Sequence, residues 1–107
     1  MATQQIISNS SNSVAGTVQS FFTAGINGVV IEAFTAANNS LINASYKAYI
    51  VAQNGADEPQ IPLKIVVWGT NDLGIGIVNQ IIPPGGSLKF ESSAIDSIYF
   101  TVTGREI

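Results

Sequence analysis

The residues Ser97-Ile98-Tyr99-Phe100-Thr101-Val102-Thr103 alternate apolar Ile98, Phe100 and Val102 with hydroxyl-bearing neighbours. A period of two marks a half-buried β-strand, because an amphipathic helix needs its apolar residues every three to four positions. The same period recurs upstream, where Leu88 and Phe90 alternate with Ser87, Lys89 and Glu91. Before that segment stands Pro83-Pro84-Gly85-Gly86. Proline cannot continue a sheet ladder and glycine supplies the dihedrals of a tight turn, so this run ends a strand expected over residues 75–82.

Further strands are expected over 62–68, 46–53 and 28–35, with one more over 14–23. In 62–68, Leu63, Ile65 and Val67 fall on one face and Lys64, Val66 and Trp68 on the other, so both faces are partly apolar. In 28–35, Val29, Ile31 and Ala33 oppose Val30, Glu32 and Phe34. The loop Asn54-Gly55-Ala56-Asp57-Glu58-Pro59 joins two of these strands as a hairpin. Residues 36–41 are too rich in Asn and Ser for a helix, and no apolar stripe of helical period runs longer than about two turns.

Seven or eight short strands with turn signals every eight to twelve residues predict an all-β chain, a β-sandwich with antiparallel strands in jelly-roll order. An immunoglobulin-like sandwich is the alternative, without the Cys-Trp-Cys hallmark. The 107 residues suffice for one core and one domain. The expected division is an N-terminal connector arm and flexible spacer over 1–13 and the sandwich over 14–107.

The arm has a mechanism of its own. Gln4, Gln5, Ile6 and Ile7 form a short β-competent segment, and Ser8, Asn9, Ser10, Ser11, Asn12 and Ser13 read as a polar spacer. Extended, the spacer reaches roughly 20 Å, at ~3.3 Å per residue. An arm laid on a neighbour's sheet edge satisfies backbone hydrogen bonds while Ile6 or Ile7 enters an apolar slot. The other readings of the same segment are the first strand of the chain's own sheet and a disordered terminus.

The composition removes most chemistry. Charged residues make up 10% of the chain, against roughly 25% in an ordinary soluble domain, and a surface filled by Ser, Asn, Thr and Gln suits packing against neighbours. The net charge is −3, and Lys47, Lys64, Lys89 and Arg105 are spread along the chain. Nucleic acid is not an expected partner, since phosphates call for a basic stripe. The chain has no cysteine and no histidine, so disulfides, thiolate metal sites, the commonest metal ligand and the commonest general base are all missing. No enzyme activity, cofactor or metal is expected.

Individual motifs point the same way. Gly69-Thr70-Asn71-Asp72-Leu73-Gly74 has the glycine spacing of a phosphate loop, but Ile75-Gly76 stands where Lys and Ser/Thr are needed. Asp57-Glu58 are adjacent acids without a base, and Asn71-Asp72 lack the ligand set of a calcium loop. Both read as turns. Trp68, Tyr46, Tyr49 and Tyr99, with nearby Asn residues, are candidates for a subunit contact or a glycan platform. The N-terminus has neither the basic region nor the apolar run of a secretory signal, and no segment approaches the ~20 apolar residues of a membrane helix. No membrane insertion is expected.

The runs Leu63-Lys64-Ile65-Val66-Val67-Trp68-Gly69, Ile77-Val78-Asn79-Gln80-Ile81-Ile82, Pro84-Gly85-Gly86-Ser87-Leu88-Lys89-Phe90 and Ile95-Asp96-Ser97-Ile98 resemble the bacterial endospore appendage subunits. The resemblance covers roughly residues 63–104. It implies a jelly-roll pilin that stacks into an extracellular fibre on the spore surface, with Gln4 to Ile7 as the connector inserted into the next subunit. Other copies of the chain, and an anchoring or tip protein, are the implied partners. This chain departs from the better-known subunits in having no cysteine in the connector, which rules out covalent cross-links. A virion decoration or fibre protein forming a closed oligomer, and a small carbohydrate-binding module, are the competing expectations.

Overall fold

The structure is a computed structural model that describes residues 2–107. Nine strands run in the order β1 (Gln4–Ser11), β2 (Gln19–Thr23), β3 (Val29–Asn38), β4 (Ala44–Val51), β5 (Pro59–Val66), β6 (Asn71–Asp72), β7 (Ile81–Ile82), β8 (Ser87–Ser92) and β9 (Ile98–Glu106). A 3-10 turn, Ile75–Ile77, lies between β6 and β7. All pairings are antiparallel. They make two sheets packed face to face: β1-β9-β3 with β6 and β7 both on the outer side of β3, and β2-β8-β4-β5. The chain is an all-β sandwich, as its alternating pattern predicts.

The strand order explains why the sheets pack. β1, β3 and β9 lie in one sheet while β2, β4 and β8 lie in the other. The chain therefore crosses the core repeatedly, and each crossing sets one apolar face against another. The contact is centred on aromatic rings. Phe100 of β9 and Phe90 of β8 are fully buried and stack with centroids 4.0 Å apart and planes 8° from parallel. Phe21 meets both edge-on, at 5.1 and 5.6 Å. Phe34 and Tyr46 stack at 5.9 Å and close the cluster against Phe90 and Phe100. Ile31, Ile77, Ile82, Leu88, Ile98 and Val102 are buried around it.

Several local expectations change. Phe34 points inward with Ile31, on the opposite face from Glu32, because β3 has a register shift between Ile31 and Ala33 that leaves Glu32 and Ala33 both exposed. The added residue of a bulge reverses the face of every residue after it in the strand. The strand expected over 75–82 is a 3-10 turn followed by only two strand residues. Gly74 is the reason: it takes φ 44°, and a Cβ there would collide with the ring of Phe34. The chain meets the core at Gly74 and turns, and Asn79 adds a second left-handed residue at φ 66°. Asn71 and Asp72, read as turn residues, pair with Ala37 and Ala36 as β6. Val67 and Trp68 lie beyond the end of β5.

One polar cluster ties the two sheets together. The Tyr46 hydroxyl donates to Asp72 Oδ2, and Lys64 Nζ donates to Asp72 Oδ1 at 3.3 Å. Asp72 belongs to the first sheet, Tyr46 and Lys64 to the second. Burial above all, then the hydrogen bond to Asp72 and its negative charge, pushes the Tyr46 hydroxyl well above the ordinary tyrosine range.

Two outcomes are expected. Phe100→Ala opens a cavity at the centre of the ring cluster and costs about 3–5 kcal/mol, a large share of the ~5–15 kcal/mol of a whole domain; a urea midpoint close to that of the parent would refute the central place of the stack. Tyr46 ionises at its ordinary pKa of 10.0 when unfolded and only at higher pH when folded. Its contribution is therefore complete below pH 10 and declines as pH rises above it. Urea unfolding at pH 8 to 11 should show a decline that is shallower in Tyr46→Phe, and identical slopes would count against the Tyr46 assignment.

Candidate assembly edge

The two flanks of the sandwich differ. On the β5 flank, the Tyr46-Asp72-Lys64 cluster fastens one sheet to the other. β5 itself contains Pro59 and Pro62, which offer no N–H, and its pairing with β4 is irregular between Tyr46 and Tyr49. Proline, lysine and bulges are the usual means of blunting a sheet edge against other chains. On the opposite flank β1 and β2 are the edges of their sheets and adjoin each other. Their sequences, QQIISNSS and QSFFT, contain no charge and no proline. A groove of about 270 Å³ runs there, lined by Ser10, Ser11, Gln19, Ser20 and Phe21.

Gln4, Gln5, Ile6 and Ile7 lie on β1, paired with β9 of the same chain. Ile7 enters the core at 4% exposure, and Ile6 packs half-buried beside it. Within the chain the segment is the first strand of its own sheet. Ser8 to Ser13 are not a free spacer. Strand pairing continues through Ser10 and Ser11 to Phe100 and Tyr99. The Ser11 hydroxyl donates to Asp96 Oδ1 at 3.2 Å, and the Asn9 amide donates to Thr101 Oγ1 at 3.2 Å. The physical reason is that β9, anchored in the core by Ile98, Phe100 and Val102, offers a long open ladder, which polar residues extend as readily as apolar ones.

The pairing of β1 is nonetheless imperfect. Its register shifts between Gln5 and Ile7 and again between Ile7 and Ser10, and Asn9 sits at φ 46°. After β1 the chain bends at Asn12 and Ser13. The Ser13 and Val14 amides donate to Gln19 Oε1 at 2.8 and 3.3 Å, and Gln19 Nε2 donates to Ser13 Oγ at 2.8 Å. Asn12 is buried, its Nδ2 donates to the Phe90 carbonyl at 2.9 Å, and its Oδ1 meets no donor among the described residues. Sequence reasoning missed Asn12, because nothing in a run of Ser and Asn distinguishes the one side chain that turns inward.

The aromatic candidates do not converge. Tyr46 is in the core between the sheets. Tyr49 is covered on the outer face of the second sheet, where its hydroxyl donates to Glu91 at 3.0 Å. Tyr99 alternates with inward Ile98 and Phe100 and so faces outward from the first sheet. Trp68 is 55% exposed in the turn after β5, its amide donating to Asn43 Oδ1 at 3.3 Å. Four rings on different faces make no common platform for a glycan.

Among the described residues no three Asp or Glu side chains gather into a metal-binding group. Asp57, Asp72 and Glu32 are each held in an ion pair, with Lys89, Lys64 and Arg105. Among the described residues no helix is long and apolar enough to cross a membrane. No protein-family model, curated protein or solved structure matches the chain.

Asn12 offers a direct test of how β1 is anchored. Asn12→Asp sets a carboxylate against the Phe90 carbonyl and should cost more than about 2 kcal/mol. Asn12→Ala loses one hydrogen bond together with the orphaned oxygen and should cost about 1 kcal/mol. Equal urea midpoints for the two variants would show that the Asn12 amide is not the anchor.

Proposed function

We propose that this chain is a non-enzymatic structural subunit of an extracellular, self-assembling fibre, and that β1 is its assembly strand. The observation that carries the reading is the flank formed by β1 and β2, two adjoining sheet edges without charge or proline. In the isolated subunit β1 lies on its own β9. In the fibre it is passed to β9 of a neighbour, which repeats the same pairings between chains. Releasing β1 exposes Ile7, at about 1.5–3 kcal/mol for one buried aliphatic side chain. Capture by the neighbour restores that loss, so exchange is governed by subunit concentration and by the bend at residues 12–18.

The strand order supports this reading: the first and last strands, β1 and β9, are neighbours, and β1 lies at an edge. With β6 and β7 taken together as one position, we read this order as a jelly roll. The resemblance to endospore appendage subunits agrees with a fibre on a spore surface, built from copies of one chain with an anchoring or tip protein. With no cysteine in the chain, every contact in the fibre is non-covalent. A virion protein forming a closed oligomer uses the same edge with reciprocal exchange, and differs in symmetry alone.

A reversible lock tests the proposal. Gln5 and Thr103 are paired across β1 and β9, so Gln5→Cys with Thr103→Cys sets a disulfide between them. The parent should form fibres under negative-stain electron microscopy, the oxidised double variant only discrete particles, and reduction should restore the fibres. Fibres from the oxidised variant would overturn strand exchange, and closed particles from the parent would overturn the fibre in favour of the closed oligomer.

A further inference from the structure

The loops of the sandwich gather at two ends. At one end, residues 39–43, 67–70 and 93–97 are bound together: Asn38 Nδ2 donates to the carbonyls of Ile42 and Val66 at 2.9 and 2.8 Å, and the Asn39 amide donates to Ser97 at 2.8 Å. Buried Asn38 also accepts from the Ser40 amide and hydroxyl, at 3.0 and 2.8 Å, so this end is rigidly built. It nevertheless presents apolar side chains to solvent. Leu41 is 81% exposed, and Ile42, Val67, Trp68 and Ile95 are each more than half exposed. Asp96 is the one charge in these three loops.

The other end is concave. The Ala24 amide donates to the Gly86 carbonyl at 2.8 Å and the Gly85 amide to the Gly25 carbonyl at 3.2 Å. Beside them opens a cavity of about 350 Å³ lined by Ala24, Gly25, Ile26, Gln53, Pro84 and Gly85, with no charge in its lining. Ile26 stands at its rim, 89% exposed.

We infer that the apolar end of one copy of this chain seats in the cavity end of the next, forming a head-to-tail contact along the strands. The contact rests on the reading of the chain as a self-assembling subunit, and it adds an interface that does not involve β1. Strands of eight to ten residues span roughly 30 Å at about 3.3 Å per residue. The loops therefore extend the 40 Å dimension of the molecule, and the end faces measure 27 by 20 Å. Covering one face buries on the order of 500 Å² on each partner, about 1,000 Å² in total, which is the lower threshold for a biological contact and the size of a weak one. Exposed apolar groups so concentrated are unusual on a monomer. The cavity lining carries no charge and the three apolar loops carry one, Asp96, so the contact is apolar and suits another copy of this chain better than an ionic partner. Because the two surfaces are different, the contact is heterologous, and each subunit in a pair is left with one free surface of each kind for the next.

The test separates this contact from strand exchange by using the oxidised Gln5→Cys/Thr103→Cys chain, in which β1 is held in place. By sedimentation, that locked chain should associate into a ladder of short oligomers as concentration rises. Leu41→Asp with Trp68→Asp on one locked chain, and Ile26→Asp with Gln53→Glu on another, should each weaken association by about tenfold or more. All four positions are exposed, so both variants should keep the thermal midpoint of the locked parent. Mixed in equal amounts, the two should form heterodimers and nothing longer, through the one intact pair of surfaces. Dimers from the Ile26/Gln53 variant alone would show that the apolar ends meet each other, and overturn the proposal. A locked chain that stays monomeric, or a mixture that stays monomeric, would overturn it too.

Discussion

The stack of Phe100 on Phe90 is the contact on which the two sheets depend. It joins β9 at the middle of one sheet to β8 in the other, and three more rings pack against it from β2, β3 and β4. Aromatic side chains supply large buried areas with definite geometry. A domain of this size has room for one such cluster, so the faces of the other strands are arranged around it. The bulge in β3 that turns Phe34 inward and the bend at Gly74 that clears its ring are both consequences.

The flanks show how a sandwich with few charges manages its edges. On the β5 side, two prolines and an ion pair that bridges the sheets leave little for another chain to join. On the β1 side the strand is held by its pairing with β9, by Ile7 and Ile6 against the core, by side-chain hydrogen bonds to Asp96 and Thr101, and by the bend fastened by Asn12 and Gln19. Long edge strands are normally defended by charge, proline or bulges. β1 and β2 have register shifts but neither charge nor proline, which is the basis for proposing β1 as the assembly strand. The apolar end and the cavity end lie at the two ends of the strands, and the contact proposed between them runs in a different direction from strand exchange.

Much of the sandwich was legible in the sequence. Alternation over Ser97 to Thr103, the Pro-Pro-Gly-Gly turn and the hairpin loop at Asn54 to Pro59 report local geometry, which a single strand or turn carries by itself. The departures come from contacts between distant residues. Phe34 changes face because a bulge aligns it with Tyr46 and Phe100, and residues 75–80 leave the strand conformation because Gly74 abuts Phe34. The aromatic candidates illustrate the same limit. Their three-residue separation on one strand puts Tyr46 and Tyr49 on opposite faces, but only the packing shows which faces the core: Tyr46 lies there beside Asp72, and Tyr49 outside beside Glu91.

The sequence alone determined the β class, the strand spacing and the scarcity of charge, because side-chain period and composition are properties of the chain before it folds. It also singled out the first thirteen residues, although only as a segment open to several uses. Tertiary structure decided that these residues complete the sheet beside β9, that Asn12 turns inward to the Phe90 carbonyl, and that one flank is closed while the other is open. Such outcomes depend on which strand lies beside which. That is settled by packing between residues nearly a hundred positions apart, and no local pattern encodes it.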